Sequence, residues 1–169
     1  MKRSFTVTEL LVAIAIVVIL AGILIGGIGY AGRRADEAKT IAAIQTLSAA
    51  LDAYRAENGY YPPAISNFWE VKFYRDSTGV LYLSFVSGTS SKDYKFVDKK
   101  QGKPFLEFNV TGTTKEAFTD AWGNALRYRC PGTHNKGAFD LFSYGSDKKS
   151  STADEKQDDI ANWDNASQQ

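Results

Sequence analysis

In 169 residues the chain carries 20 Lys or Arg and 19 Asp or Glu, a net charge of +1 that offers no basic face for nucleic acid. Hydrophobic residues at 44% and charged residues at 23% give an average globular composition at the length of one domain. One cysteine, Cys130, and one histidine, His134, exclude an intramolecular disulfide and a zinc site built on paired cysteines or histidines. The average hides an uneven spread, because Leu10 to Ala31 is a run of 22 residues without a charge. That argues against a purely cytosolic enzyme.

A basic head, Met1-Lys2-Arg3-Ser4, runs almost directly into this apolar segment. As a helix the run would rise roughly 33 Å, enough for a hydrocarbon core of about 30 Å. Three readings compete: a cleaved secretory signal, a plain anchor, and an anchor with a special head. A signal peptide has a shorter apolar region of about 7–15 residues. Glu9 favours the third reading, since a carboxylate at the edge of such a segment is costly without a partner. Ser4-Phe5-Thr6-Val7-Thr8-Glu9-Leu10, between the basic head and the apolar run, resembles the prepilin leader of type IV pilins and type II secretion pseudopilins, with Ser4 where that family prefers glycine. The resemblance implies cleavage between Ser4 and Phe5 by a membrane aspartyl peptidase and methylation of the new Phe5 amine. It also gives Glu9 the family's glutamate position, where its carboxylate would pair with the terminal ammonium of a neighbouring subunit, so that neither charge stays uncompensated.

Beyond the apolar run, Ala38, Ile41, Ile44, Leu47, Leu51 and Tyr54 step by three or four residues, one face of a continuing helix. Asn58-Gly59 and Pro62-Pro63 stop it, so one helix of about 80 Å is expected from Phe5 to Asn58. Gly22, Gly26, Gly27 and Gly29 read either as close-packing positions or as locally weakened helix that lets an anchor stretch; the second is favoured. From Asn67 to Val110 the chain is strand-like, with Val80–Val86 and Phe105–Val110 the clearest runs. Its aromatics, among them Trp69, Phe73, Phe85 and Phe96, read as core.

In the C-terminal third, Asp120–Arg129 reads as a turn followed by a strand, with Leu126, Tyr128 and Cys130 on one face. Asn124 after Gly123 suits left-handed turn geometry, and Ala138–Tyr144 reads as the returning strand of a hairpin. Ser143, His134 and Asp140 supply triad residue types, but no nucleophile-elbow pattern surrounds Ser143, and Asp140 and Ser143 fall on opposite faces of their strand. Catalysis is not expected. From Asp147 onward six acids stand against three lysines. Asp147, with Asp158-Asp159 returning later, could converge with backbone carbonyls on a hard cation such as calcium, or form only a solvated acidic tail. The hairpin and acidic loop resemble the C-terminal sheet and calcium loop of the major type II secretion pseudopilin. That resemblance implies calcium on Asp147, Asp158 and Asp159, with Tyr144 and Lys149 contributing backbone carbonyls. It covers roughly residues 1–63 and 118–165, and segment 67–117 reads as an enlarged insertion.

The fold expected is α+β: a long N-terminal helix, membrane-spanning in its first half, packed on a small antiparallel β-sheet with a loop-rich C-terminal region. Residues 1–4 would be a cleaved leader and 5–31 the transmembrane and filament-core helix. Residues 32–169 would be a globular pilin-like domain that includes the amphipathic helix 32–58. The function expected is that of a non-enzymatic subunit of a type II secretion pseudopilus. It would be held in the bacterial inner membrane with its globular domain in the periplasm, then polymerised into a periplasmic or extracellular filament. Its partners would be further copies of itself, the prepilin peptidase, an inner-membrane assembly platform and minor pseudopilins, with no nucleic acid. The alternatives are a surface type IV pilus subunit and a membrane-anchored periplasmic binding module.

Overall fold

The computed structural model describes residues 6–149 and 158–163, with side-chain surroundings described at all of these except 23–29 and 66–67. Helix α1 spans Val7–Asn58, 52 residues. Thr6 caps its start: the Glu9 carboxylate accepts the Thr6 amide and hydroxyl, both at 2.9 Å, and the Thr6 hydroxyl oxygen accepts the Glu9 amide at 3.3 Å. This reciprocal pattern is a capping box, which satisfies amides that have no partner inside the helix. At the other end Asn58 Nδ2 donates to the Tyr54 carbonyl at 2.9 Å, and Gly59 turns the chain at φ +84°. The chain divides into two compact units, Met1–Asp36 and Glu37–Gln169.

In the first unit the apolar side chains of α1 face solvent all round, from Val7 and Leu10 through Ile14 and Val17 to Leu20, each more than half exposed. In the second unit Thr40, Ile44, Leu47, Ala50, Leu51 and Tyr54 are buried along one face of α1. Ala38 is exposed and Ile41 only half-buried, so the covered stripe begins at Thr40, slightly rotated from the expected one.

The stripe joins a core with a seven-stranded antiparallel sheet. Its strands are β1 (Ala64–Arg75), β2 (Leu81–Ser87), β3 (Ser90–Lys95), β4 (Glu116–Ala117), β5 (Arg127–Cys130), β6 (Asp140–Ser143) and β7 (Ile160–Ala161). The order is β3-β2-β1-β5-β6-β7, with β4 also paired to β1. Trp69, Val71 and Phe73 alternate inward on β1 and meet Leu81, Leu83 and Phe85 of β2. Phe85 stacks on Tyr128 with ring centroids 4.2 Å apart, and Tyr54 of α1 stacks on Phe96 at 5.7 Å. Such pairs add about 0.5–1.5 kcal/mol beyond the area they bury. The hairpin β5–β6 forms in the register Tyr128↔Leu141, and Leu126, Tyr128 and Cys130 are all buried.

The expected fold class needs correction on both of its qualifiers. The sheet is not small, because the aromatic middle segment supplies most of β1 and all of β2, β3 and β4, so it is the body of the fold. The membrane-spanning first half does not hold either: among the described residues no helix is long and apolar enough to cross a membrane. A smaller correction concerns Phe105–Val110. Leu106 and Val110 are buried as the alternation requires, but the segment forms no strand, and the only bridge nearby joins Val97 to Pro104 among the described residues.

Candidate functional site

Two places hold the residues singled out by sequence, and each is described within its own unit. At the start of α1, Ser4 and Phe5 lie outside the described residues. Glu9 is exposed, and its carboxylate is folded back on Thr6. The signal for this arrangement was the spacing Thr6-x-x-Glu9 ahead of an apolar run.

At the far end of the chain, β6 delivers Tyr144 and then Gly145, whose φ of +65° is a left-handed value that favours glycine. A Cβ at Gly145 would also meet the backbone of Asp158, with the carbonyl carbon 2.8 Å away. That close approach brings the two ends of the acidic loop together. Asp158 Oδ2 accepts the Ser146 hydroxyl and the Asp147 amide, both at 2.9 Å, and Asp147 Oδ1 accepts the Lys149 amide at 2.8 Å. The Asp147 backbone is therefore held against the Asp158 carboxylate. Asp159 follows, half-buried, at the entrance to β7. Tyr144 lies under the Arg127 guanidinium, 5.0 Å from ring centroid to Cζ. Asp154, Glu155 and Asp164 lie outside the described residues. The donors present are all oxygen, the kind a hard cation takes. Among the described residues no group of three or more His, Cys, Asp or Glu side chains could hold a metal ion, so carbonyls would have to complete any ligand set.

Three polar groups around this loop were not foreseen as a set. Asp120 is buried, and its Oδ1 accepts the amides of Trp122 at 2.9 Å and Asn124 at 2.7 Å. Its Oδ2 accepts the Ser143 hydroxyl at 2.6 Å and Asn124 Nδ2 at 2.9 Å. The local signal was an aspartate heading a turn that contains Gly123; Gly123, not Asn124, takes the left-handed conformation, at φ +83°. The bond to Ser143 had no sequence signal, since it spans 23 positions.

Asp140 faces the other way, as the strand alternation implies. It is fully buried and accepts the amides of Thr133, His134 and Asn135, plus the Thr133 hydroxyl. Burial alone would raise its pKa, but the amides of Asn135 and His134 and both donors of Thr133 outweigh it and hold the carboxyl below the usual range. The His134 ring stacks on Trp163 with centroids 4.1 Å apart, while Ser143 is committed to Asp120. His134 Nδ1 lies 3.3 Å from Asp140 Oδ2, but Ser143 bonds Asp120 instead, so the three do not form a relay. Burial pushes the Cys130 thiol up, although a hydrogen bond with Tyr128 works the other way. It is therefore a thiol at neutral pH, poorly suited to nucleophilic chemistry.

Residues 96–163 match the family described as Type II secretion system (T2SS), protein G. The type II secretion system core protein G of Pseudomonas aeruginosa is 33% identical over 168 residues, covering 97% of this chain and 96% of that protein. The chain belongs to this family. The core protein G of Escherichia coli strain K12 is 29% identical over 164 residues, and that of Vibrio cholerae 26% over 162. These cover 96% of this chain, and 91% and 92% of the two relatives.

Proposed function

We propose that this protein is a structural subunit of a type II secretion pseudopilus, polymerising through α1 to support protein export. The observation that carries this reading is the contrast within α1. Its second part is covered by the sheet, whereas Leu10, Leu11, Ile14, Val17 and Val18 are more than half exposed on every side. An apolar surface of this kind calls for a partner, and packed copies of the same helix are a matching one. In that packing the Glu9 carboxylate leaves Thr6 and pairs with the terminal ammonium of a neighbour's Phe5, once the prepilin peptidase has cut after Ser4. Before assembly the subunit is held at the inner membrane with its globular unit in the periplasm. An assembly platform and minor pseudopilins act on it there. The protein's role is mechanical, and no substrate is turned over.

The acidic loop is read as a calcium site, with Asp147, Asp158 and Asp159 as carboxylate ligands and Tyr144 and Lys149 offering carbonyls. Bound there, the ion would draw these carboxylates together and neutralise them, with carbonyls completing the ligand set. Asp158 and Gly145 close the loop and hold Asp147 beside it.

The test of the filament reading is Glu9→Ala in the full chain. Loss of a buried charge partner costs about 3–5 kcal/mol, so filament yield should collapse while the protein still accumulates at the membrane. Wild-type yield would overturn this role for Glu9. Mass analysis of assembled protein should find Phe5 at the N-terminus, carrying one methyl; an intact Met1 would overturn the processing step. For the loop, the melting temperature of the full chain in detergent micelles should fall with chelator and recover with Ca²⁺ better than with Mg²⁺. The expected gain is about 2.7 kcal/mol at a hundredfold excess of free ion over Kd.

A further inference from the structure

The entrance to the acidic loop is held by one side chain from β6 and one from the turn that carries Asp120. The Gly145 amide donates to Ser143 Oγ at 2.9 Å, and the Gly145 carbonyl accepts Asn124 Nδ2 at 2.9 Å. Both backbone polar groups of Gly145 are thus fastened, and both fasteners bond to one oxygen, Asp120 Oδ2. The turn carrying Asp120 is itself tied to α1, because the Ala121 amide donates to the hydroxyl of the fully buried Thr40 at 3.2 Å. Gly145 in turn abuts the backbone of Asp158, the residue that accepts the Asp147 amide.

We propose that Asp120 is the positioning residue of this loop: through Ser143 and Asn124 it fixes Gly145, and so sets the approach of Asp147 to Asp158. The inference rests on the calcium reading only for its effect on affinity. The closure of the loop stands without it. All four hydrogen bonds at the Asp120 carboxylate are accepted ones, two at each oxygen, so a neutral amide of the same shape must lose one oxygen's pair. Asp120→Asn therefore breaks either the turn or the brace. Ser143→Ala and Asn124→Ala each remove one arm and leave the carboxylate in place.

The experiment combines amide hydrogen exchange with calcium titration on the full chain in detergent micelles. The reporter is the Asp147 amide, whose acceptor, Asp158, is touched by none of the three substitutions. The expected result is exchange about tenfold faster at Asp147 in Ser143→Ala and Asn124→Ala, with β1 and β2 amides unchanged. Calcium affinity should weaken by about 10–100-fold, the usual effect of losing a group that orients a ligand. Exchange that rises uniformly over β1, β2 and Asp147, with unaltered calcium affinity, would mean a merely structural role and overturn the proposal. If the wild-type chain binds no calcium, the cation reading fails by itself. The Asp147 amide then decides: selective acceleration upholds the brace, and its absence overturns it. Should Asp120→Asn not fold, the two single-arm variants carry the test.

Discussion

The two units of this chain treat the same residue types in opposite ways. Leu10, Ile14 and Val17 of the first unit are 57%, 52% and 63% exposed, whereas Leu47, Leu51, Leu81 and Leu83 of the second are fully buried. All the α1 members of this set share one helical backbone, so secondary structure does not distinguish them. What differs is the partner. The second unit carries its own sheet and closes its core with stacked aromatics, while the described residues of the first form a helix with a capped start. A chain built this way is complete as a domain in one part and as a polymer in the other.

That contrast is sharpest at the core. Phe85→Ala should destabilise the globular unit by about 3–5 kcal/mol, through lost burial and the cavity left beside Tyr128. Ile14→Ala should leave the melting temperature unchanged while lowering filament yield. Calorimetry on both variants breaks the comparison if Ile14→Ala also lowers the melting temperature.

The next effect lies with Asp140. Its replacement by Asn removes the charge from a buried acceptor of several amides, a loss of about 2–3 kcal/mol. Because its folded pKa is depressed, its stabilisation is full above the unfolded value near 4 and is lost as pH falls through the lower folded value. Denaturant titrations between neutral pH and pH 2 should show the wild-type midpoint falling on this acid limb. The Asp140→Asn midpoint should start lower and fall less. A parallel fall in both would remove Asp140 from the acid response.

Smaller again is Gly145→Ala, which should cost about 1–2 kcal/mol for the left-handed backbone alone. Contact with Asp158 adds to that. Limited proteolysis should then cut between residues 145 and 158 sooner than in the wild type, with the sheet intact. The least is Thr6→Ala, worth about 1 kcal/mol at the helix start. It should speed amide exchange at Glu9 and Leu10 about fivefold and leave the globular unit untouched, which sharpens the independence of the two units.

Sequence by itself determined what depends on near neighbours. The helix was legible from Phe5 to Asn58 and is found from Val7 to Asn58, because a three-to-four-residue period and a stop at Asn58-Gly59 are local signals. The hairpin β5–β6 was legible for the same reason. Only the tertiary structure decided which strands pair, and that β1, preceded by two prolines and poor in motif, is the centre of the sheet. It also decided that Phe105–Val110 buries Leu106 and Val110 without joining a ladder, and that Ser143 spends its hydroxyl on Asp120. Alternation tells a strand which face to bury, but hydrogen bonds between strands and across turns need a partner tens of residues away. No local pattern names that partner.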